Sequence, residues 1–294
     1  VKPKNPNIRT GKKIAVIGSG PAGLATAAQL NYAGHHVTVF ERDDAPGGLL
    51  RYGIPDFKLE KWVIDRRIQL LEEEGVVFKC NTHVGVSIKM DEIISEHHAV
   101  VIAAGSTIPR DLDIPGRTLE GVYFAMDFLK QQNKRVSNKE VEGDPILATG
   151  QDVVVIGGGD TGSDCVGTSN RQGATSVTQL ELMPKPPVSR NDVMPWPTYP
   201  MTLKTTSSHE EGASREWAVL SKRFIGEAGK LTGIELVDIT WKAATIDKPA
   251  RFEEVEGTTR IVPCQKAFLA MGFLHPQHQG FIDEIGVDLD ARGN

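Results

Sequence analysis

Two glycine-rich stretches carry the residues whose types and spacing are suited to chemistry. Residues 14–23 are IAVIGSGPAG and residues 153–165 are VVVIGGGDTGSDC, and each contains the spacing G-x-G-x-x-G after four apolar residues. In such a turn the first glycine permits the tight bend, the second lets the backbone approach a pyrophosphate, and the third allows helix to pack on strand. The helix N-terminus that follows offers N–H groups and partial positive charge. Each stretch therefore predicts a phosphate site for a dinucleotide.

The first glycine turn, residues 18–23, is followed by a suitably placed acid. Its predicted cofactor contacts are Gly18, Gly20, Pro21, Ala22 and Gly23. Glu41 comes 18 residues after Gly23, where a carboxylate can accept hydrogen bonds from ribose hydroxyls. The alternative is a tight structural turn beside a surface glutamate. The co-occurrence of strand, turn, helix and acid favours the nucleotide site.

The second glycine turn, residues 157–162, repeats the arrangement. Its predicted contacts are Gly157, Gly159, Asp160, Thr161 and Gly162. Glu181 follows 19 residues after Gly162 and favours a free ribose 2′-hydroxyl over a 2′-phosphate, so NADH is favoured over NADPH. Lys185 and Arg190 are near it in sequence and keep NADPH open. Asp160 and Thr161 either begin the helix or contact the cofactor, and the sequence leaves both options.

Two nucleotide modules in one chain indicate two dinucleotides. With a flavin in one and a nicotinamide in the other, the chemistry is hydride transfer that belongs to the cofactors, and no catalytic side chain is predicted. The cysteines, Cys80, Cys165 and Cys264, lie 85 and 99 residues apart, which gives neither a disulfide framework nor a metal site. We expect reduced thiols in a cytoplasmic protein. The HPQH sequence at residues 275–278 is expected to be a solvated loop, so no metal is predicted.

The elements that position the two turns form two βαβ units. The strand KKIAVIGSG, the helix PAGLATAAQLNYAG and the strand HHVTVFE make the first; QDVVVIGGG, DTGSDCVGTSNRQG and SVTQLEL make the second. A right-handed crossover and a parallel sheet are expected in each. The fold class is therefore α/β with two Rossmann-like dinucleotide-binding domains.

Further elements follow from periodicity. A helix is predicted over residues 58–75, with Trp62, Ile64, Ile68 and Leu71 on one face, and a hairpin is predicted near Glu227–Gly229. IVPCQKAFLAMGF is predicted to be one strand ending at Gly272. Residues 184–216, here called the proline-rich segment, contain six prolines, which indicate a long functional loop that either covers the nicotinamide or docks a partner.

The composition limits the number of domains and the classes of partner. The chain has 294 residues, 39% hydrophobic and 24% charged, which is the balance of a globular protein of one or two domains. Its net charge of -5 argues against a nucleic-acid partner. The longest apolar run, at residues 99–104, is far shorter than a membrane span, so no membrane partner is predicted.

Several stretches resemble one flavoprotein family. They are GGLLRYGIPDFKLEK, MDFLKQQN, GGGDTGSDCVGTSNRQGA, ELMPKPP, NDVMPWPTYP and LAMGF. Over essentially the whole chain the sequence resembles the small (beta) subunit of glutamate synthase, or the matching region of single-chain NADH-dependent glutamate synthases. The resemblance implies an FAD domain interrupted by a nicotinamide domain. The implied stretches are a lead-in at 1–10, the FAD domain at 11–145, the NAD(P)H domain at 146–269 and a return to the FAD domain at 270–294.

The resemblance also implies cofactors, partner and contacts. It adds Gly48, Leu49 and Gly105 as FAD contacts, with Val84 at the adenine edge. It implies FAD with NADH or NADPH, iron–sulfur clusters in a cysteine-rich domain that this sequence does not contain, and a large (alpha) subunit where 2-oxoglutarate and glutamine-derived ammonia become L-glutamate. Leu180-Glu181-Leu182 stand where many small subunits have Tyr-Arg-Arg, which favours NADH.

Departures from the family leave alternatives. The cysteine-rich front and a C-terminal segment containing Gly-Asp do not occur in this sequence, so we expect a fragment with weakened FAD binding. A disulfide reductase is disfavoured because no CxxC or CxxxxC is present. A related electron-input module, as in dihydropyrimidine dehydrogenase or a ferredoxin-linked transhydrogenase, stays open. So does a non-catalytic nucleotide-binding module.

Overall fold

The computed structural model describes residues 2–242 and 250–294, which form two compact units. The first unit takes its described residues from Val1–Arg110, Asn133–Glu140 and Phe273–Asn294, and the second from Asp111–Gln132 and Val141–Gly272. The second unit is therefore inserted in sequence into the first. Each unit contains a parallel sheet with helices, which confirms the α/β class.

The first unit is built on a four-stranded parallel sheet of order β3-β2-β1-β4. Its elements up to residue 102 are β1 Lys13–Ile17, α1 Pro21–Tyr32, β2 His36–Phe40, α2 Leu49–Tyr52, α3 Lys61–Glu73, β3 Val77–Lys79, α4 Met90–Glu96 and β4 Ala99–Ile102. The first predicted βαβ unit is confirmed as β1-α1-β2. Its two strands lie side by side in parallel register, from Lys13 opposite His36 to Ile17 opposite Phe40.

Strand β1 is buried on both faces, which explains its unbroken apolar sequence. Val16 packs in one cluster with Ile68 of α3, while Ala15 and Ile17 pack in a second cluster with Met90 of α4. Burying a side chain of valine or leucine size contributes about 1.5–3 kcal/mol. These two clusters therefore fix the strand whose end carries the first glycine turn.

Helix α3 confirms the predicted helix but corrects its buried face. Ile64, Ile68 and Leu71 are buried, whereas Trp62 is 55% exposed and lies under the guanidinium of Arg66, 5.1 Å from its ring centroid. Residues two apart in a helix point to nearly opposite sides, since each residue turns by about 100°. Trp62 and Ile64 thus cannot share a face, and the prediction for Trp62 was wrong.

The second unit contains a five-stranded parallel sheet of order β5-β13-β6-β7-β8 and an antiparallel sheet of β9 to β12. Its elements are β5 Val122–Phe124, α5 Ala125–Val136, β6 Asp152–Ile156, α6 Asp160–Arg171, β7 Ser176–Glu181, α7 Ser207–Glu210, β8 Ser214–Trp217, β9 Val219–Glu227, β10 Lys230–Lys242, β11 Arg251–Glu254, β12 Arg260–Pro263 and β13 Lys266–Leu269. The predicted βαβ unit is β6-α6-β7. Beyond it, the chain adds α8 Phe281–Ile285 to the first unit.

Two later elements test the sequence predictions. The predicted hairpin is confirmed between β9 and β10, where Ala228 and Gly229 have φ of 48° and 81°, the positive values that a tight hairpin turn requires. IVPCQKAFLAMGF is not one strand. Residues up to Pro263 pair antiparallel with β10, while β13 inserts between β5 and β6. Pro263 cannot donate to a ladder, and the chain changes sheet directly after it.

Candidate dinucleotide-binding sites

The first glycine turn has the close approaches that its spacing predicts. A Cβ on Gly18 would lie 2.5 Å from the carbonyl oxygen of Ala103, and one on Gly23 would lie 1.9 Å from that of Gly18. Gly18 also has a φ of 100°, in the region that favours glycine. Both positions thus require glycine to bring α1 against the end of β1.

The N-terminus of α1 opens on free space. Gly20 is its N-cap and Pro21 its first residue, and among described residues no side chain caps the helix. No described atom beyond its chain neighbours lies within 4 Å of a Cβ built on Gly20. Ala22 follows inside the first turn of the helix, whose leading N–H groups have no partner within the helix. This geometry fits the pyrophosphate of a dinucleotide.

Glu41 is fixed directly beside this turn. Its side chain is 4% exposed, and its Oε2 accepts hydrogen bonds from the N–H of Ser19 at 3.1 Å and from the Ser19 hydroxyl. Its Oε1 accepts from the N–H of Asp43 at 2.8 Å. The Ser19 hydroxyl oxygen in turn accepts from the N–H of Gly47 at 2.9 Å. The carboxylate is thus fixed beside the glycine turn, and its contact with a ribose stays a prediction.

The structure places the four contacts implied by the resemblance at different points of the first unit. A Cβ on Gly48 would meet the Gly20 Cα at 2.9 Å, so the start of α2 touches the glycine turn, and Leu49 after it is 44% exposed. Gly105 follows the carboxyl end of β4 with a φ of 70° and open space around it. Val84 is 3% exposed and packs in the core, and its contact with an adenine stays a prediction.

The second glycine turn repeats the first. A Cβ on Gly157 would lie 2.3 Å from the carbonyl oxygen of Ala270, one on Gly162 would lie 2.2 Å from that of Gly157, and the space at Gly159 is open. Gly159 is the N-cap of α6, and Asp160 and Thr161 are its first residues. The structure confirms that they begin the helix, and their contact with a cofactor stays a prediction.

Glu181, like Glu41, is held by the N–H of the residue after the first glycine and by the N–H two positions after itself. Its Oε2 accepts from the N–H of Gly158 at 2.7 Å and its Oε1 from the N–H of Met183 at 3.0 Å. A Cβ on Gly158 would lie 2.5 Å from that Oε2. The carboxylate of Glu181 can therefore approach the main chain of residue 158 only because this residue has no side chain. Ser19 and Gly158 were missed by sequence reasoning. The available signal was that each of them directly follows the first glycine of its turn, and so occupies the same position in the two fingerprints.

A buried polar network supports the second turn. Gln179 of β7 donates from Nε2 to the carbonyl oxygen of Gly157 at 2.9 Å, and its Oε1 lies 2.9 Å from Nε2 of His209. The Thr206 and Ser163 hydroxyl oxygens lie 2.6 Å apart, and Thr206 begins the short helix that contains His209. The proline-rich segment is therefore anchored to α6 and to the glycine turn. A lone glutamine in the strand SVTQLEL was the available signal.

The proline-rich segment is irregular for most of its length, but its predicted end was wrong. Residues 214–217 form β8, which pairs in parallel with β7. Val188, Val193 and Trp196 are each at least 83% exposed. Arg190 donates to the carbonyl oxygens of Met194 at 3.2 Å and Thr198 at 2.6 Å, so its guanidinium holds the segment itself. Whether the segment covers a nicotinamide or docks a partner stays a prediction.

The remaining candidate groups show no redox or metal geometry. Cys80, Cys165 and Cys264 form no disulfide, and burial raises the pKa of Cys264 to about 12. The rings of His275 and His278 stack at 4.3 Å. Within residues 2–242 and 250–294, no group of three or more His, Cys, Asp or Glu side chains is placed to hold a metal ion. Among the helices that the structure describes, none has the length and apolar character needed to cross a bilayer.

Two glycine turns on two parallel sheets, each with open space at a helix N-terminus and a fixed acid beside it, give the geometry of a protein with two dinucleotide sites. The chain belongs to the pyridine nucleotide-disulphide oxidoreductase family, whose model matches residues 12–194. The sequence contains no CxxC or CxxxxC pair, so the family's fold is present here without a dithiol of that spacing.

Sequence relatives confirm the resemblance to glutamate synthases. The chain is 45% identical to the glutamate synthase [NADPH] small chain of Mycobacterium tuberculosis, over 100% of this chain and 60% of the relative. It is 46% identical to the glutamate synthase [NADH] of Schizosaccharomyces pombe, over 100% of this chain and 14% of the relative. The chain therefore spans less than two thirds of these curated relatives.

Solved structures share the fold at low sequence identity. FprA of Mycobacterium tuberculosis in complex with NADPH matches with a TM-score of 0.69 and 18% identity, over 90% of this chain and 71% of that one. Thioredoxin reductase of T. acidophilum matches with a TM-score of 0.63 and 17% identity, over 96% of this chain and 84% of that one. At such identities the likeness shows the fold alone.

Proposed function

We propose that this chain passes a hydride from NAD(P)H, with NADH favoured, to FAD, as the electron-input part of a glutamate synthase. The observation that carries the proposal is the pair of glycine turns, each with open space at its middle glycine and an acid fixed within hydrogen-bond distance of the turn. When bound, the cofactors supply the chemistry: hydride leaves C4 of the dihydronicotinamide, which becomes oxidised, for N5 of the flavin, which becomes reduced.

The chain's own residues bind and orient the two nucleotides. At the first turn, the N-terminus of α1 receives the FAD pyrophosphate at Gly20, and Glu41 accepts from the ribose hydroxyls. Gly48, Leu49 and Gly105 complete the FAD contacts of the first unit. At the second turn, Gly159 and the N-terminus of α6 receive the pyrophosphate of the pyridine nucleotide, and Glu181 accepts from its ribose.

The choice of pyridine nucleotide rests on Glu181. A fixed carboxylate at the end of β7 accepts hydrogen bonds from a 2′-hydroxyl and repels a 2′-phosphate, which supports NADH as the favoured donor. Similarity to relatives does not decide it, because those at 45% and 46% identity carry NADPH and NADH in their names. NADPH is kept as the second donor.

The wider assembly is proposed from the sequence relatives. In the complete enzyme, electrons would pass through iron–sulfur clusters held outside this sequence to a large (alpha) subunit, which forms L-glutamate from L-glutamine and 2-oxoglutarate. The 45% identity to a glutamate synthase small chain supports this placement over related electron-input modules. The three cysteines, none of them in a disulfide, support the cytoplasm as its compartment.

A spectroscopic experiment tests the proposal. The purified chain is mixed with FAD and desalted, and its flavin absorbance is followed on anaerobic addition of NADH. We expect a yellow protein that NADH bleaches, and glutamine- and 2-oxoglutarate-dependent NADH oxidation when the chain is part of the full enzyme with its large subunit. Flavin reduction without glutamate formation would favour a related electron-input module. A protein that takes up no FAD would leave only a nucleotide-binding role.

A further inference from the structure

A chain of hydrogen bonds joins the short helix α7 to the second glycine turn, within the second unit. The N–H of Thr206 donates to Nδ1 of His209 at 3.1 Å, and Nε2 of His209 lies 2.9 Å from Oε1 of Gln179. Gln179 in turn donates from Nε2 to the carbonyl oxygen of Gly157 at 2.9 Å. The chain of bonds therefore begins in the proline-rich segment and ends at the first glycine of the turn.

The direction of every bond in this chain is fixed. A main-chain N–H only donates, so Nδ1 of His209 is the acceptor and the ring proton is on Nε2. That N–H donates to Oε1 of Gln179, which leaves the amide nitrogen of Gln179 facing the carbonyl oxygen of Gly157. Hydrogen bonds that run in one direction polarise one another. Loss of the imidazole at one end should therefore weaken the hold on Gly157 at the other.

The shape of the turn does not require this chain of bonds. Val39 in the first unit and Gln179 in the second each lie two residues before the acid of their site, and both are buried. Valine has no side-chain group that could donate to a carbonyl oxygen. Even so, a Cβ on Gly23 would lie 1.9 Å from the carbonyl oxygen of Gly18, so the first turn is just as tightly closed. What Gln179 adds is thus the connection to His209.

Helix α7 is fastened to α6 by polar contacts. Asn170 of α6 donates from Nδ2 to the carbonyl oxygen of Gly212 at 2.7 Å. Arg171, the next residue of α6, pairs with Glu211 at 2.6 Å. The sequence KTTSSHEEG at residues 204–212 contains no large apolar side chain. A stretch held by hydrogen bonds with little apolar burial opens at low free-energy cost, so α7 can exchange between docked and released states.

Nucleotide binding acts on the same turn. In the proposed function, phosphate is received by the N–H groups that follow Gly157, at the N-terminus of α6. The bond from Gln179 holds the carbonyl oxygen of Gly157, and its Nε2 would lie 2.7 Å from a Cβ on Gly162, so the amide fills the space between these two glycines. Both events thus favour one arrangement of the turn. Two events that stabilise the same arrangement favour each other, and their coupling is reciprocal.

We propose that Gln179 and His209 couple the docking of α7 to nucleotide binding at the second glycine turn. The docked segment tightens nucleotide binding, and bound nucleotide keeps the segment docked. Gln179 and His209 are positioning residues, since they act through Gly157 rather than on the nucleotide. This inference rests on the proposed function, because it requires a nucleotide at this turn.

Proteolysis of the whole chain with and without a ligand measures the coupling. The ligand is ADP-ribose, which contains the pyrophosphate and both riboses of NAD⁺ but no nicotinamide ring, so protection cannot come from a ring lying under the segment. Tryptic cleavage after Arg190 and Lys204 is followed by mass spectrometry. We expect saturating ADP-ribose to slow this cleavage about fivefold in wild type, which is at the lower end of typical coupling between two sites.

Three variants separate coupling from simple loosening. His209→Ala and Gln179→Leu should bring the ratio of cleavage rates without and with ADP-ribose close to one, and should weaken ADP-ribose binding in calorimetry by about fivefold, because the coupling is reciprocal. Asn170→Ala is the matched control, since it removes a bond between α6 and the chain after α7 that does not reach the glycine turn. It should speed cleavage but retain the wild-type ratio. A merely structural role for His209 would raise both rates and leave the ratio unchanged.

The outcomes separate this inference from the proposed function. If wild type binds ADP-ribose but its cleavage is not slowed, or if His209→Ala retains the wild-type ratio, the coupling is overturned while the nucleotide site stands. If Asn170→Ala loses the ratio as His209→Ala does, the role of Gln179 and His209 is overturned. If wild type binds no ADP-ribose, the nucleotide site falls and the coupling with it. Thermal melting midpoints are measured for all variants, and His209→Ala, at a half-buried position, decides the result should Gln179→Leu unfold.

Discussion

At the scale of single residues, the two sites differ in how their acids are held. The N–H of Ser19 donates to Glu41 at 3.1 Å, and the N–H of Gly158 donates to Glu181 at 2.7 Å. Ser19 adds a hydroxyl that also donates to Glu41, whereas Gly158 has no side chain to do so. Glu181 therefore keeps more of its acceptor capacity for a ligand, which is the property a specificity residue needs.

Changing that acid alters the choice of donor. For Glu181→Ala in the flavin-loaded enzyme, we expect the ratio of kcat/KM for NADH to that for NADPH to fall on the order of tenfold, because a charged acceptor for the 2′-hydroxyl is lost. Steady-state kinetics with both donors measures it. Glu210→Ala, an exposed acid of the same unit, is the control. An unaltered ratio in Glu181→Ala contradicts the role given to this residue.

Substitutions at two glycines of the second turn should affect different properties, stability in one case and ligand binding in the other. A Cβ at Gly162 would lie 2.2 Å from the carbonyl oxygen of Gly157, whereas none of the described atoms comes within 4 Å of one at Gly159. We expect Gly162→Ala to lower the thermal melting midpoint. Gly159→Ala should leave the midpoint within about a degree of wild type, yet weaken binding of NAD⁺, since its methyl group enters the space kept for phosphate. Equal melting losses in both variants would refute this division.

At the scale of elements, local patterns predicted more than long-range pairing did. Both βαβ units and the β9–β10 hairpin were predictable because periodicity and turn residues act over a few positions. β8 was not predicted, because it begins within the proline-rich segment and is recognisable only through its pairing with β7. For the same reason, the partners of Gln179, His209 and the carbonyl oxygen of Gly157, could not be assigned from the sequence. The acids and glycines were predicted because their spacing along the chain is itself the signal.

The anchoring of the proline-rich segment is testable at His209. This side chain joins the segment to Gln179 at 2.9 Å, and through it to the second glycine turn. We expect His209→Ala to speed tryptic cleavage after Arg190 and Lys204, because loosening one end of a loop raises the population of open states. His36→Ala, an exposed histidine of the first unit, provides the comparison. Cleavage rates equal to wild type would argue against the anchor.

Within the first unit, residues 133–140 contact the stretch after β2 through a pH-sensitive ion pair. Lys139 pairs with Asp44 at 2.6 Å, and the Tyr52 hydroxyl donates to Asp44 at 2.5 Å. Burial raises the pKa of Asp44, but the hydrogen bonds from Lys139 and Tyr52 outweigh it and lower the pKa from 3.8 to about 2. A depressed carboxyl pKa adds stability above the ordinary value and loses it as pH falls through the folded one.

Asp44→Asn should therefore make the free energy of unfolding depend less on pH in the acid range. Between pH 5 and pH 3, we expect the free energy of unfolding of wild type to fall more steeply than that of the variant, as urea titration measures. Asp192→Asn, an exposed carboxyl in the proline-rich segment, should retain the wild-type slope. If Asp44→Asn and wild type lose stability in parallel over this range, the contact does not contribute as the geometry indicates.

At the scale of the whole molecule, the duplication explains why one sequence contains two fingerprints. Each unit has its own parallel sheet, its own glycine turn and its own acid, so each meets the requirements for one dinucleotide. The insertion of one unit into the other was implied by the family resemblance rather than by any local pattern, because the return of the chain at residue 273 carries no fingerprint of its own.

The two acids should therefore act on different ligands. A ligand that binds only the folded state stabilises it by RT ln(1 + [L]/Kd), about 2.7 kcal/mol at a hundredfold excess over Kd, so midpoint shifts report binding at each turn. We expect FAD to shift wild type and Glu181→Ala alike but Glu41→Ala far less, and NAD⁺ to shift wild type and Glu41→Ala alike but Glu181→Ala far less. Each variant controls for the other, with its own ligand-free midpoint as baseline because Glu41 is buried. If either substitution removed both shifts, the two turns would not be separate nucleotide sites, and the assignment of one cofactor to each unit would fall.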